Sequence, residues 1–135
     1  MQAVVDTNII ISGILKIDSP PSKILNLILS GKLILNFDSR IFNEYERVLR
    51  SSKFSFPENL ISELIYFLKK ESCFVSPPPI QIEIQDKDDL PFIEVGVYKN
   101  IPIITGNKKH FELSNEFNLT IFTPSEFINT KYNMG

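Results

Sequence analysis

The sequence predicts a three-layer α/β/α fold around a central parallel sheet, and two observations carry that expectation. Short, wholly apolar runs such as Ala3-Val4-Val5 and Ile101 to Ile104 lack the polar alternation of a half-solvated strand, so each is expected to be covered on both faces. Between these runs lie segments with apolar residues at helical spacing, and strands alternating with helices imply right-handed βαβ crossovers.

The elements follow in order. Ala3 to Val5 is a buried strand that stops at Asp6-Thr7-Asn8. Ile9 to Leu15 forms a helix, with Thr7 or Asn8 as its expected cap. Pro20-Pro21-Ser22 opens a second helix carrying Ile24, Leu25, Leu27, Ile28 and Leu29, and Gly31 stops it. Leu33 to Phe37 is the next strand. Ser39 is expected to cap a helix with Ile41, Phe42, Tyr45, Val48 and Leu49 inward. Pro57 sits in the first turn of another, whose inner face runs from Leu60 to Leu68.

Cys73 to Val75 reads as a short strand, followed by Pro77-Pro78-Pro79. Ile80, Ile82 and Ile84 alternate with polar residues, which predicts an extended, half-buried piece at a sheet edge. Asp88 or Asp89 begins a helix through Tyr98, and Asn100 suits its left-handed end. Ile101 to Ile104 is a strand ending at Thr105-Gly106-Asn107. Leu119 to Phe122 is the last strand, and Thr123 caps a short helix through Ile128.

Composition narrows the function classes. With 135 residues, 43% hydrophobic and 22% charged, the chain is expected to be one domain with a real core. One cysteine, Cys73, excludes an internal disulfide framework. The apolar run from Ile9 is interrupted by Ser12 and Gly13 and follows Asp6, so no membrane span or secretory signal is expected. A cytoplasmic location fits these features. Fourteen Lys and Arg stand against sixteen Asp and Glu, a net charge of −2. A simple nucleic-acid-binding module shows a basic footprint, and the whole-chain balance offers none.

The carboxylates carry the chemistry. Asp6, Glu44, the Asp86/Asp88/Asp89 cluster and the amide Asn107 each lie just past a strand or on the helix after it. Ligands of open parallel sheets collect outside the carboxyl ends of the strands. Carboxylates gathered there repel one another unless one is protonated or a hard divalent cation joins them. Each residue also has a plainer role: turn or cap for the aspartates, and a solvated helix face for Glu44 paired with Arg47. Their order along the chain favours a shared site. Mg²⁺ or Mn²⁺ suits oxygen donors, and a phosphodiester substrate needs such a cation.

The whole chain resembles the PIN-domain family, and within it the toxin components of toxin–antitoxin pairs. Val4-Val5-Asp6-Thr7-Asn8-Ile9-Ile10-Ile11-Ser12 resembles the opening strand and first acid. Ile41-Phe42-Asn43-Glu44-Tyr45-Glu46-Arg47-Val48-Leu49 resembles the helix of the second acid, which falls on Glu44. Asp86-Lys87-Asp88-Asp89-Leu90-Pro91-Phe92-Ile93-Glu94-Val95 resembles the third segment, with the ligand at Asp89. Ile103-Ile104-Thr105-Gly106-Asn107-Lys108-Lys109-His110-Phe111 resembles the fourth, and Thr123-Pro124-Ser125-Glu126-Phe127 the end.

The resemblance implies a metal-dependent nuclease acting most often on RNA, with Asp6, Glu44 and Asp89 as ligands of Mg²⁺ or Mn²⁺ and Asn107 completing the catalytic set. The cation would activate water for in-line attack at phosphorus, with no covalent nucleophile on the protein. Asn107 departs from the aspartate of many relatives and brings no charge, which predicts one well-held ion in substrate-free protein. Thr7, Asn8, Asp86 and Thr105 are candidates to orient ligands or water. Lys108 and Lys109 are candidates for substrate phosphates. His110 is expected to pack with Phe111 and fix the loop. A homodimer and a cognate antitoxin are the expected partners, with RNA as substrate. The alternative is a catalytically weak RNA- or protein-binding module of the same fold. A phosphohydrolase using Asp6 as nucleophile would want a second aspartate at position 8, where Asn8 stands.

Overall fold

A computed structural model describes residues 1–84 and 86–132; the side chains of residues 112–116 and 132 fall outside it. Among the described residues, five strands form one parallel sheet in the order β3-β2-β1-β4-β5. They are β1 (Gln2–Val5), β2 (Ile34–Phe37), β3 (Cys73–Phe74), β4 (Ile103–Ile104) and β5 (Ile121–Phe122). The helices are α1 (Thr7–Leu15), α2 (Pro20–Leu29), α3 (Ser39–Leu49), α4 (Glu58–Glu71), α5 (Leu90–Lys99) and α6 (Pro124–Phe127). No described helix is long and apolar enough to cross a membrane.

β1 is the centre of the sheet. Gln2 and Ala3 pair with Ile34 and Leu35 of β2, while Val4 and Val5 pair with Ile103 and Ile104 of β4. Ala3, Val4, Val5, Phe37, Ile103 and Ile104 are all fully buried, which is why these runs carry no polar alternation. The chain moves outward from β1 to β2 and β3, then returns to the other side of β1 for β4 and β5. The order therefore reverses between β1 and β4, where an open parallel sheet leaves a crevice for ligands. Asp6 and Thr105 leave the sheet at that reversal.

Close approaches fix the helices on the sheet. A Cβ at Gly13 would stand 2.9 Å from the Pro21 carbonyl oxygen, so glycine lets α1 and α2 touch. One at Gly96 would meet Ile103 and Leu119 at 3.2 Å, so α5 lies directly over β4. Tyr45 of α3 is wholly buried and donates its hydroxyl hydrogen bond to the Val5 carbonyl. That bond ties α3 to the end of β1.

Several expected details differ. Asp6, not Thr7 or Asn8, occupies the cap position of α1, and no side chain caps that helix; the Thr7 hydroxyl turns to Glu44 instead. Asp38, not Ser39, caps α3, because its Oδ1 reaches the Ile41 amide at 3.1 Å. Ile80, Ile82 and Ile84 are half-buried but belong to no strand; β3 and β5 are the sheet edges. A 3₁₀ turn, Lys87–Asp89, precedes α5, and another 3₁₀ segment occupies Lys108–Phe117, where a loop was expected. Thr123 caps α6 as expected, in a reciprocal arrangement with Glu126.

Candidate metal centre

The chain brings its acids together at the carboxyl end of the sheet. Asp6 follows β1 directly, and its amide donates to the Ile104 carbonyl at 2.9 Å, extending the β1–β4 ladder by one residue. Its Oδ2 accepts a 2.8 Å hydrogen bond from Thr105 Oγ1, which in turn accepts from the Asn107 amide at 3.1 Å. Burial raises the Asp6 carboxyl above its ordinary range, and the Thr105 hydroxyl partly offsets that.

Glu44 enters from α3. Its Oε2 accepts the hydroxyl hydrogen bond of Thr7, and its Oε1 lies 3.9 Å from the Arg47 guanidinium one turn on. Because Tyr45 is anchored to Val5, its neighbour Glu44 is held beside the end of β1. Burial, then the Asp6 and Glu44 charges, push the Tyr45 phenol well above its usual value, so it remains a neutral donor.

Asp89 ends the 3₁₀ turn before α5 and is only 8% exposed. Its carboxyl is pushed up to about 6, first by burial and then by the charges of Asp6 and Asp86. Its buried Oδ2 has no hydrogen-bond partner, and His110 Nδ1 stands 3.2 Å away, an ion pair when the imidazole is protonated. Asp86 caps the 3₁₀ turn through the Asp88 amide at 2.9 Å. One donor atom each of Asp86, Asp89 and His110 lies within 4.8 Å of the others.

These groups line one cleft of about 240 Å³, to which Thr7, Asn8, Asp88 and Asn107 also contribute, with Val48 and Phe92 as apolar wall. Thr105 lies behind Asp6, fully buried. The arrangement therefore gathers Asp6, Thr7, Asn8, Glu44, Asp86, Asp89, Thr105 and Asn107. Lys108 and Lys109 are not in the cleft. The Lys108 ammonium pairs with Glu126 of α6 at 3.1 Å, a partner invisible to a local reading.

His110 also differs from expectation. Phe111 goes into the core, while the 44%-exposed His110 side chain turns into the cleft. A single 3₁₀ turn, closed by His110 N–H donating to the Asn107 carbonyl at 3.2 Å, separates the two directions. Arg47 is the cation that lines the cleft among the described residues. Its position three residues after Glu44 was the available signal.

The donor set fits a hard divalent cation. Carboxylates outnumber the cations beside them, Asp89 carries a buried oxygen lacking a hydrogen-bond partner, and its pKa is raised by burial first and then by the repulsion of Asp6 and Asp86 that a cation would relieve. Asp6, Glu44 and Asp89 can supply oxygen ligands from three different elements.

A parallel α/β sheet with an acidic cleft at its topological switch defines the class: an α/β protein with a candidate divalent-metal centre. A profile described as PIN domain matches residues 2–109, and the chain belongs to the PIN domain family. PIN domains are typically nucleases that use divalent metals. The chain is 30% identical to the uncharacterized protein MJ1680 of Methanocaldococcus jannaschii, over 95% of this chain and 90% of that one. The fold is similar to that of VapBC2 from Rickettsia felis, solved bound to a DNA fragment from their promoter, with a TM-score of 0.60 and 17% identity over 91% of this chain and 98% of that one. It is also similar to FitAcB from Neisseria gonorrhoeae, with a TM-score of 0.59 and 14% identity over 93% and 99%.

Proposed function

We propose that this chain is a single metal-dependent ribonuclease domain, cleaving RNA phosphodiesters with Mg²⁺ or Mn²⁺ held by Asp6, Glu44 and Asp89. The observation that carries this is the convergence of Asp6, Glu44 and Asp89 in one cleft that also holds the Arg47 guanidinium. When bound, the cation supplies a Lewis acid that activates water and offsets charge on the phosphodiester.

The chain's own residues do the rest. Thr105 orients the Asp6 carboxylate, Thr7 orients Glu44, and the Tyr45 bond to Val5 fixes the two relative to each other. Asn107 and Asn8 offer uncharged amides at the mouth for positioning water or substrate. Arg47 offers a fork for a phosphate. With water as the nucleophile in place of the RNA 2′-hydroxyl, the products would be linear phosphate and hydroxyl ends.

Incubating mixed RNA with the protein in EDTA, then with added Mn²⁺, tests this. Cleavage only with Mn²⁺, giving linear ends, supports it. Retention of RNA without cleavage would favour the second reading, a binding module, for which the uncharged Asn107 argues. Cyclic phosphate ends would show attack by the RNA's own 2′-hydroxyl and refute activated water.

A toxin role with a cognate antitoxin is part of the proposal, supported by the likeness to VapBC2 and FitAcB. A protein partner also suits the groove between α1, α2 and α4, lined by Ile14, Leu25, Leu29, Leu60, Leu64 and Phe67. Leu29 and Leu60 remain 45% and 37% exposed there, so the apolar surface exceeds what the core uses. Homodimerisation would draw on the same kind of surface. Light scattering that finds a monomer at high micromolar concentration would remove the dimer from the account.

A further inference from the structure

We propose that Arg40 and Glu94 are positioning residues for the metal centre: their ion pair clasps α3 to α5 across the carboxyl edge of the sheet and sets the distance between Glu44 and Asp89. The inference rests on the metal-dependent reading above and concerns two residues outside the lining of its cleft.

Topology creates the need for a clasp. Residues paired across parallel strands point to the same face, and successive residues of one strand alternate. Ala3 pairs with Leu35 and Val4 with Ile103, so Phe37, two residues after Leu35, and Ile103 point to opposite faces. α3 packs on the Phe37 face, where the Phe42 and Tyr45 rings lie 5.5 and 5.9 Å from the Phe37 ring. α5 packs on the Ile103 face through Gly96. Glu44 and Asp89 therefore reach the cleft from opposite sides of the sheet. Glu44 is tied to β1 by the neighbouring Tyr45 bond to Val5. Asp89 has no bond to a strand among the described residues; its amide donates to Asp86 within its own turn.

The Arg40–Glu94 pair supplies the missing link. Arg40 precedes Glu44 by one turn of α3, and Glu94 follows Asp89 by five residues on α5. One guanidinium nitrogen meets both Glu94 Oε1 and Asp38 Oδ2 at 2.7 Å. Asp38 Oδ1 caps α3, so the pair is braced on that side by the helix end itself. Glu94 is 2% exposed. A buried carboxylate is costly unless it is paired, so any drift of α5 from α3 at this point is resisted.

The second oxygen of Glu94 reaches the Asp89 turn by another route. It accepts from the Ile80 amide at 2.8 Å. Among the described residues, no other hydrogen bond fastens residues 76–84, and Pro77-Pro78-Pro79 stiffens the stretch before Ile80. The chain then runs on to Asp86, which caps the turn that carries Asp89. Glu94 thus acts on that turn from both sides, through α5 and through the segment that enters it.

Two variants test this. In Glu94→Gln the side chain has one acceptor oxygen and serves Arg40 or Ile80 but not both. Arg40→Met with Glu94→Gln leaves no buried charge unpaired and lets the glutamine keep Ile80, so it removes the clasp alone. Arg50→Met, which breaks exposed ion pairs of α3 with Glu46 and Glu58, is the control. Mn²⁺ affinity is measured by electron paramagnetic resonance titration of RNA-free protein, at a temperature where circular dichroism shows each variant folded. The expected result is about tenfold weaker binding in Glu94→Gln and in the double variant, the low end of the loss when a ligand's support is removed, with wild-type binding in Arg50→Met. The double variant should regain stability over Arg40→Met without regaining affinity. A merely structural pair would leave the affinity of folded protein unchanged, so wild-type affinity in either Glu94 variant overturns the proposal. Equal weakening in Arg50→Met overturns it as well, because any loosening of α3 would then suffice. The expected pattern in a protein that fails to cut RNA would refute the nuclease reading alone. Metal-dependent cleavage with unaltered affinity in the Glu94 variants would refute the clasp alone.

Discussion

Thr105 Oγ1 donates a 2.8 Å hydrogen bond to Asp6 Oδ2, joining residues 99 positions apart at the ends of adjacent strands. Both ends of the bond are set by the β1–β4 register, in which Val5 pairs with Ile104. The first acid of the site is thus oriented by the sheet itself.

Thr105→Val should therefore weaken Mn²⁺ binding by about 10- to 100-fold, the usual effect of losing a group that orients a ligand. The side chain is fully buried and of similar volume to valine, so the fold should be kept, at a cost of about 1–3 kcal/mol for the Asp6 and Asn107 hydrogen bonds left unmade. Thr105→Ser keeps the donor and should restore the affinity. A Mn²⁺ titration of the three proteins checks this; equal affinities would show that the bond only shapes the loop.

Metal-free protein should lose stability as pH rises from about 4 to about 6. Burial and the neighbouring carboxylates push the Asp89 carboxyl up to about 6 in the folded chain, against an ordinary 3.8. Between those values the folded state holds a proton that the unfolded state has lost, so the neutral form's contribution is full below about 4 and gone above about 6. Asp6 shifts in the same direction. Asp89→Asn should become progressively more stable relative to wild type across this window. Melting curves in EDTA at several pH values measure it, and a constant difference would contradict it.

Arg47→Ala should raise KM for RNA with little change in kcat. One lost phosphate contact reduces the slope of log affinity against log salt by about 0.7 on single strands. The 3.9 Å approach of Arg47 to Glu44 is too long to hold the carboxylate, which Thr7 already orients. A salt series of binding constants decides; an unchanged slope would place Arg47 outside the substrate path.

Arg40→Met should lower stability by about 3 kcal/mol, because it leaves a buried carboxylate unpaired. Glu94 is 2% exposed, and its oxygens meet the Arg40 guanidinium at 2.7 Å and the Ile80 amide at 2.8 Å. Arg40→Met with Glu94→Gln should recover part of the loss. Chemical denaturation of the single and double variants separates the cases.

The strands were legible because covered parallel strands must be continuously apolar: Val4-Val5 and Ile103-Ile104 advertise burial on both faces. Asp6, at the end of such a run, advertised the site. Glu94 was hidden, since a carboxylate on an apolar helix face looks solvated until Arg40, 54 positions earlier in the sequence, is seen to reach it. His110 was misjudged because one 3₁₀ turn sends it and Phe111 opposite ways. The Lys108 pairing was not legible because its partner, Glu126, comes from α6. Helix capping shifted by one residue at Asp6 and Asp38, where aspartate and a following hydroxyl residue compete for the same role.

The central claim is that Asp6 and Asp89 hold the cation on which RNA cleavage depends. The most direct measurement compares wild type, Asp6→Asn and Asp89→Asn for cleavage of one RNA across a Mn²⁺ titration in EDTA-controlled buffer. Each substitution nearly preserves shape while removing one ligand charge. The account predicts metal-dependent cleavage by wild type and loss of activity in both variants, each still folded by circular dichroism. Equal cleavage by wild type and Asp6→Asn would contradict it.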